Sequence, residues 1–406
     1  MSEFSQNGII STLHDFGTRS TEEIEKDLLK FSKERKMELI LPCLYSELEG
    51  SALPNIVEEI SKTKYLDHVI VGLDRANENQ AKKAWKFFKK LKSPFSILWN
   101  DGPALKKLDK ELKKKDLAPN ELGKGRNVWY CLGMSIARDT ARSVALHDCD
   151  IKTYDRRMLA KLFYPVVNPL FNFEFCKGYY PRIANNKMNG RVARLLVKPL
   201  LTALEKTIGQ SEYLNFMKSF KYPLAGEFSF RRNVLPELRI SSDWGIEVGI
   251  LSEMQRSFSP NNICQVDLAD AYDHKHQDLS IDDETKGLSK MSIDIIKTFI
   301  KKLATQGNSF SRETFRSLKA TYYRSALDLI DIYRSDAAMN GLKFDSHKEE
   351  EAVELFAVNI MKAGEAFYIN PMDTPFIPTW SRVKSAIPDF LVRLNEAVSE
   401  DNKKFI

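Results

Sequence analysis

Asp148 and Asp150 end the run Arg-Ser-Val-Ala-Leu-His-Asp-Cys-Asp-Ile at 142–151, which reads as a buried strand delivering two carboxylates at its C-terminal end. Two acids separated by one residue can share the ligation of a hard divalent cation, and ligands of parallel α/β sheets gather where strands end. A nucleoside diphosphate sugar suits such an address. An Asp-x-Asp alone is a weak signal, and its place after a strand is what gives it weight.

Four further patches follow the same logic. The first strand runs into Leu41-Pro42-Cys43-Leu44-Tyr45-Ser46-Glu47, where Pro42 is expected to end pairing and turn the backbone across the sheet edge, a common place for a base and ribose. An ordinary strand-to-helix turn is the plain alternative. Asp74, in Leu73-Asp74-Arg75 at the next strand end, is suited to a ribose hydroxyl or to an N-cap. In Gly123-Lys124-Gly125-Arg126-Asn127 the glycines allow close approach of backbone to ligand, and Lys124 reaches a phosphate from a helix N-terminus. The spacing is not that of a Walker loop, and a helix start with incidental glycines is the alternative. Tyr272-Asp273-His274-Lys275-His276 follows an apolar strand. Two imidazoles two residues apart share one face of an extended segment, where either can complete the metal site or simply be exposed.

Two segments suit an acceptor. Asn189-Gly190-Arg191-Val192-Ala193-Arg194 combines backbone donors, a helix start and guanidinium groups that bind phosphate or carboxylate bidentately. Glu227, between Gly226 and Phe228, and Glu247, in Asp243-Trp244-Gly245-Ile246-Glu247-Val248-Gly249, are expected near a sugar or acceptor hydroxyl, or else as caps or arginine partners.

The elements that position these residues are short apolar runs at 37–44, 68–73, 95–99 and 143–146, separated by helical stretches, which predicts a parallel three-layer α/β sheet. Four regions result. Residues 1–35 form an N-terminal helical appendage, 36–151 a nucleotide-sugar-binding half, 152–283 an acceptor-binding half with a helix over 192–206, and 284–406 a mostly helical extension. Its helices at 293–304, 312–338, 347–363 and 381–399 are expected to be scaffold or dimer contacts.

The 61 basic and 55 acidic side chains leave only +6, which does not announce a polyanion partner and admits an anionic small molecule. The lysine run at 106–115 has leucines and acids spaced for a solvated helix face rather than a nucleic-acid patch. Five scattered cysteines without a C-x-x-C pair suggest neither a disulfide framework nor a zinc site, and no apolar stretch approaches the roughly 20 residues needed to cross a bilayer, so a cytoplasmic protein with no membrane span is expected.

From about residue 37 to 280 the chain resembles the glucosyl-3-phosphoglycerate synthase family of retaining GT-A glycosyltransferases. The resemblance rests on Gly190-Arg191-Val192 leading into Leu195-Leu196-Val197-Lys198-Pro199-Leu200-Leu201, on Ala225-Gly226-Glu227-Phe228, on Trp244-Gly245-Ile246-Glu247-Val248-Gly249-Ile250-Leu251, and on His274. It implies a GT-A type, Rossmann-like nucleotide-sugar domain in which Asp148, Asp150 and His274 hold Mg2+ or Mn2+ on the donor diphosphate. It also implies that Lys124 and residues 42–47 face the nucleotide, that Glu247 faces the donor sugar, and that Gly190 and Arg191 hold the phosphoglycerate. Three departures stand out: Ala193 replaces a usual Thr, Tyr45-Ser46-Glu47 stands where an Asn-Glu pair is frequent, and His276 replaces a common Asn.

The implied reaction moves glucose from a UDP- or GDP-linked donor to the 2-hydroxyl of 3-phosphoglycerate, giving glucosyl-3-phosphoglycerate on the route to glucosylglycerate. Asp150, Glu247 and Arg191 are the expected catalytic residues, with Val192, Ala193, Glu227 and His276 beside the acceptor and a homodimer as the expected assembly. The rivals are a related GT-A transferase using another sugar or acceptor, such as mannosyl transfer to a glycerate, an inverting transferase, and a non-catalytic nucleotide-sugar or RNA-binding protein.

Overall fold

The computed structural model describes residue 6 and residues 8–119, 121–274, 283, 285–371 and 376–405. The chain opens with strand β1 (Ser11–Leu13) and helix α1 (Thr21–Phe31). Ser20 caps that helix in a reciprocal box: its hydroxyl accepts from the Glu23 amide at 3.2 Å while the Glu23 carboxylate accepts from the Ser20 amide at 2.7 Å. The first 35 residues are more than an appendage, because β1 pairs in parallel with the last strand of the main sheet.

The nucleotide half follows as β2 (Met37–Leu44), α2 (Ala52–Ser61), β3 (Leu66–Asp74), α3 (Glu78–Phe88), β4 (Phe95–Trp99), α4 (Pro103–Lys113), α5 (Lys124–Arg138) and β5 (Ser143–Leu146). The strands are apolar almost throughout because helices cover both faces. The chain moves outward from β2 through β3 to β4 and then returns to β5 on the opposite flank of β2. That reversal opens a crevice at the C-terminal ends of β2 and β5, the ordinary ligand position in an open α/β sheet. On α4, Leu105, Leu108 and Leu112 are buried, and Asp109 pairs with Arg126 and Lys113 at 3.2 and 3.0 Å, so the lysine run is the outer face of a packed helix.

The second half contains α6 (Arg156–Val167), β6 (Phe175–Tyr179), a small hairpin of β7 (Ile183–Ala184) and β8 (Lys187–Met188), α7 (Lys198–Ile208), α8 (Glu212–Lys218), β9 (Phe228–Arg231), α9 (Ile246–Ser257) and β10 (Ile263–Asp267). Among the described residues the main sheet has eight strands in the order β1-β10-β6-β9-β5-β2-β3-β4. It is mixed rather than wholly parallel, because β9 runs antiparallel to both β5 and β6. The reversal has a use: an antiparallel strand presents its beginning where its neighbours present their ends. Phe228 lies opposite Leu146, which brings Gly226 and Glu227 to the edge that carries Asp148.

The extension comprises α10 (Gly287–Thr305), α11 (Arg312–Met339), α12 (Ser346–Ile369), α13 (Trp380–Ala386) and α14 (Phe390–Lys403). The single helix expected at 381–399 is divided at 387–389, where Pro388 cannot continue a helix. The extension packs back onto the nucleotide half. Trp380 stacks on Trp129 of α5 with ring centroids 4.0 Å apart and donates its indole N–H to the Trp129 carbonyl. Asn402 exchanges hydrogen bonds with the Ile97 backbone, covering the exposed edge of β4.

Candidate active site

After β5 the alternation of an extended chain continues: His147, Cys149 and Ile151 point inward while Asp148 and Asp150 turn out, each side chain about one quarter exposed. His274, seven residues beyond the end of β10 in spite of lying 124 residues from Asp150 in sequence, meets them. One ligand atom from each of Asp148, Asp150 and His274 lies within 4.8 Å of the others. His274 Nδ1 is 3.8 Å from Asp150 Oδ1, and its Nε2 is buried with no hydrogen-bond partner among the described residues. Burial pushes the Asp150 carboxyl up, but the imidazole of His274 and the ammonium of Lys124 outweigh it, so its pKa lies below the ordinary carboxylate range. Two carboxylates and an imidazole with an unused nitrogen fit a divalent ion such as Mg2+ or Mn2+.

Lys124 starts α5 and Glu247 stands in the first turn of α9, so two helix N-termini converge on this edge. Lys124 Nζ is 2.8 Å from Asp148 Oδ1 and 3.2 Å from Glu247 Oε1. Burial works against the ammonium, yet Asp148 and Glu247 together raise its pKa, and it stays charged. Gly226 closes over the pair. A Cβ there would lie 2.4 Å from Asp148 Oδ2 and 2.9 Å from Lys124 Nζ. Gly125 serves packing rather than ligand approach, since its Cβ would meet the Ser241 carbonyl at 2.1 Å.

Glu227 corrects the sequence reading. It is fully buried, and instead of facing a substrate it accepts from the hydroxyls of Tyr180 and Tyr272, each at 2.6 Å, through its two oxygens. Burial and the nearby Asp148 raise its pKa, with the two hydroxyls acting in the opposite direction. The two tyrosine rings stack with centroids 3.6 Å apart, and Tyr272 lies edge-on to His274 at 5.5 Å. Sequence reasoning gave neither tyrosine a role; Tyr272 stood two residues from His274, the one available signal. Lys177 on β6 was missed as well. It is fully buried, burial pushes its ammonium down to about 8, and it donates to the Ala225 carbonyl beneath Gly226.

On the nucleotide side, pairing does not stop at Pro42. It continues against β3 through Pro42↔Gly72 and Leu44↔Asp74, whereas pairing against β5 ends at Ile40↔Leu146. Leu44 and Asp74 therefore stand side by side at adjacent strand ends. Burial pushes the Asp74 carboxyl up to about 6 despite the Arg126 guanidinium. Glu47 sits on the following 3-10 turn, Tyr45–Glu49. Cys43 departs from expectation, because its thiol is buried and donates to the Leu44 carbonyl.

The segment expected to receive the acceptor starts at Gly190, whose φ of +75° is left-handed and favours glycine. In place of a regular helix over 192–206, the structure has a π-helical turn, Val192–Val197, that runs into α7, an irregularity frequent at functional sites. Ala193 is half-buried, and Val192 is buried in the core rather than turned to an acceptor. Arg191 Nε donates to Glu349 Oε1 at 2.9 Å, and Arg194 donates to Glu349 Oε2 at 2.8 Å. Glu349 comes from α12, too far along the chain for any local pattern to announce it. Aromatic contacts join this segment to the metal cluster: a Cβ on Gly190 would lie 3.6 Å from the Tyr222 hydroxyl, and the Tyr222 ring is 5.1 Å from that of Tyr180. His276 lies outside the described residues.

Comparison with known proteins bears on the family and the fold. No family model matches the chain. It is 43% identical over 402 residues to a glucosyl-3-phosphoglycerate synthase from Persephonella marina, with 99% of each chain covered. It is 38% identical over 400 residues to one from Methanococcoides burtonii, covering 98% of this chain and 97% of that one. The fold is shared with glucosyl-3-phosphoglycerate synthase from Mycobacterium tuberculosis in complex with Mn2+, UDP-glucose and phosphoglyceric acid, at TM-score 0.54 and 20% identity, over 74% of this chain and 89% of that one. Mannosyl-3-phosphoglycerate synthase from Rubrobacter xylanophilus shares it at TM-score 0.54 and 19% identity, over 74% and 83%. With near-full-length identity at this level and a GT-A architecture beneath it, the chain belongs to the glucosyl-3-phosphoglycerate synthase family.

Proposed function

We propose that this protein is a metal-dependent retaining glucosyltransferase that moves glucose from UDP-glucose to the 2-hydroxyl of 3-phosphoglycerate. The observation that carries the reading is the convergence of Asp148, Asp150 and His274 within 4.8 Å, beside Lys124, at the switch point of the sheet. Asp148, Asp150 and His274 would hold Mg2+ or Mn2+, and the ion would supply Lewis-acid neutralisation of the departing diphosphate. Lys124 adds a fixed positive charge beside the same group, preorganised by Asp148 and Glu247, so that little reorientation accompanies the charge that develops there.

Glu247 orients the sugar hydroxyls in this scheme. Its Oε1 is already paired with Lys124, which suits an orienting carboxylate better than a free nucleophile. Retention then follows from attack on the face the diphosphate leaves, with a donor phosphate oxygen taking the acceptor's proton and no protein base required. Gly190 and Arg191 receive the anionic acceptor. Leu44, Asp74 and the backbone over 42–47 receive the base and ribose.

The test is a donor-by-acceptor screen with Mg2+ or Mn2+, reading product mass and anomeric configuration. Glucosyl-3-phosphoglycerate with retained configuration supports the reading. Inverted configuration, or turnover only with a mannosyl donor or with a glycerate lacking phosphate, overturns it. The screen includes GDP-glucose beside UDP-glucose. Sedimentation tests the proposed homodimer. A cytoplasmic location is proposed from five buried free cysteines, and cell fractionation tests it. Among the described residues no helix is long and apolar enough to cross a membrane.

A further inference from the structure

Glu349 stands in the first turn of α12, is 4% exposed, and divides its two oxygens between two arginines of the acceptor segment. The two arginines are held differently. Arg194 is fixed on several sides: it also donates to the carbonyls of Asn189 and Met188 at 2.9 and 3.3 Å, and its guanidinium lies 4.8 Å from the Tyr333 ring centre. Its side chain is 10% exposed. Arg191 is 32% exposed and reaches Glu349 through Nε. A guanidinium held at Nε keeps its two terminal nitrogens for the planar fork that recognises phosphate or carboxylate. Arg194 is thus the anchor of the group and Arg191 its presenting member.

The same extension grips the acceptor segment at two more points. The Tyr322 hydroxyl of α11 donates to the Leu195 carbonyl inside the π-helical turn. The Lys343 amide donates to the Asn186 carbonyl at 2.8 Å, and Asn186 Nδ2 donates to the Gly341 carbonyl at 3.2 Å, tying the β7–β8 hairpin to the link between α11 and α12. The π-helical turn keeps its own backbone bonds, such as the Lys198 amide to the Ala193 carbonyl, and these outside contacts add to what holds it in one shape.

We infer that Glu349 is a positioning residue for the acceptor: it holds Arg191 in the pose in which the guanidinium end meets the acceptor's anionic group, which makes the helical extension part of the acceptor site. This rests on the assignment of Arg191 to the acceptor. Charge and geometry predict opposite signs when Glu349 is removed. Deleting a negative charge near a bound anion tightens binding, whereas releasing Arg191 from its pose weakens it.

The test measures acceptor KM, donor KM, kcat and Tm for Glu349→Ala, Glu349→Gln, Arg191→Ala and the double variant Arg191→Ala/Glu349→Ala. Glu349→Ala is expected to raise acceptor KM by about 10- to 100-fold, the scale of loss from a misplaced binding group, with donor KM within about twofold. Glu349→Gln, which keeps its volume and one acceptor oxygen, is expected to fall between it and the parent protein. The double variant is expected to be no worse than Arg191→Ala alone. Unchanged or lowered acceptor KM in Glu349→Gln overturns the inference. So does an equal rise in donor and acceptor KM with a lower Tm, the mark of a merely structural role. If Arg191→Ala itself leaves acceptor KM unchanged, the acceptor assignment fails first, and the inference with it. If Arg191→Ala raises acceptor KM and the Glu349 variants do not, only the inference fails.

Discussion

In the function proposed above, the donor end and the acceptor end of the site are built by different means. At the donor end Asp148, Asp150, Leu44 and Asp74 ride on or just beyond the ends of strands, and the hydrogen-bonded ladder of the sheet fixes where they point. At the acceptor end Gly190, Arg191 and Arg194 ride on a hairpin exit and a π-helical turn, and side chains from α11 and α12 hold them. A site built on a sheet inherits its precision from the backbone. A site built on irregular turns must borrow it from distant helices, so the two ends should fail in different ways.

The largest effect is expected at the donor end. Asp150→Ala should lower kcat by about 10³-fold, and chelation of divalent metal should stop the parent enzyme until Mg2+ or Mn2+ is restored. Turnover that survives both treatments would break the comparison, because no metal would then organise that end. Gly226→Ala comes next, with a loss of about 10²-fold expected from the 2.4 Å approach of the new Cβ to Asp148 Oδ2. Because that clash concerns carboxylate and ammonium positions, donor binding and kcat should both fall. Arg191→Ala should instead raise acceptor KM by about tenfold or more while donor KM stays put. Parallel movement of the two constants would show that the ends are not separable.

The smallest effect concerns acid. Burial pushes the His68 ring down to about 4, aided by Arg138, and burial alone pushes the His147 ring down to about 3. Both are neutral in the fold and would take up a proton near pH 6.5 once unfolded, so stability is full above that pH. It is lost as pH falls from 6.5 toward 4 for His68 and toward 3 for His147. Each should contribute a loss of about 2 kcal/mol between pH 6.5 and 5, read as a falling Tm. His147→Phe should remove its share of that slope, sharpening the comparison because His147 precedes Asp148 on the sheet side. An unchanged slope would place the acid sensitivity elsewhere.

Much of the donor end was legible in the chain, and the reason is periodicity. The strand at 143–146 is the one observed, and the alternation that buries His147 and Cys149 turns both aspartates to one side. The antiparallel β9 was not legible: four residues, Phe228–Arg231, carry too few alternations to declare a strand, and direction leaves no trace in a local pattern. For the same reason Glu227 was misread. An acid between a glycine and an aromatic looks the same whether it meets a sugar or two tyrosines. Pro42 was misread because a missing N–H interrupts pairing on one flank of a strand without ending the strand on the other.

By itself the sequence determined the strands at 37–44, 68–73, 95–99 and 143–146, most of the long helices and the pair of aspartates, because each follows from local spacing or from a motif tied to a strand end, while His274 came from the family resemblance. Only the tertiary structure decided that the first strand closes the sheet, that Tyr180 and Tyr272 lock Glu227, and that Glu349 of the last third of the chain grips Arg191. Those contacts join residues tens to hundreds of positions apart, and their partners are chosen by which surfaces the packed core brings together.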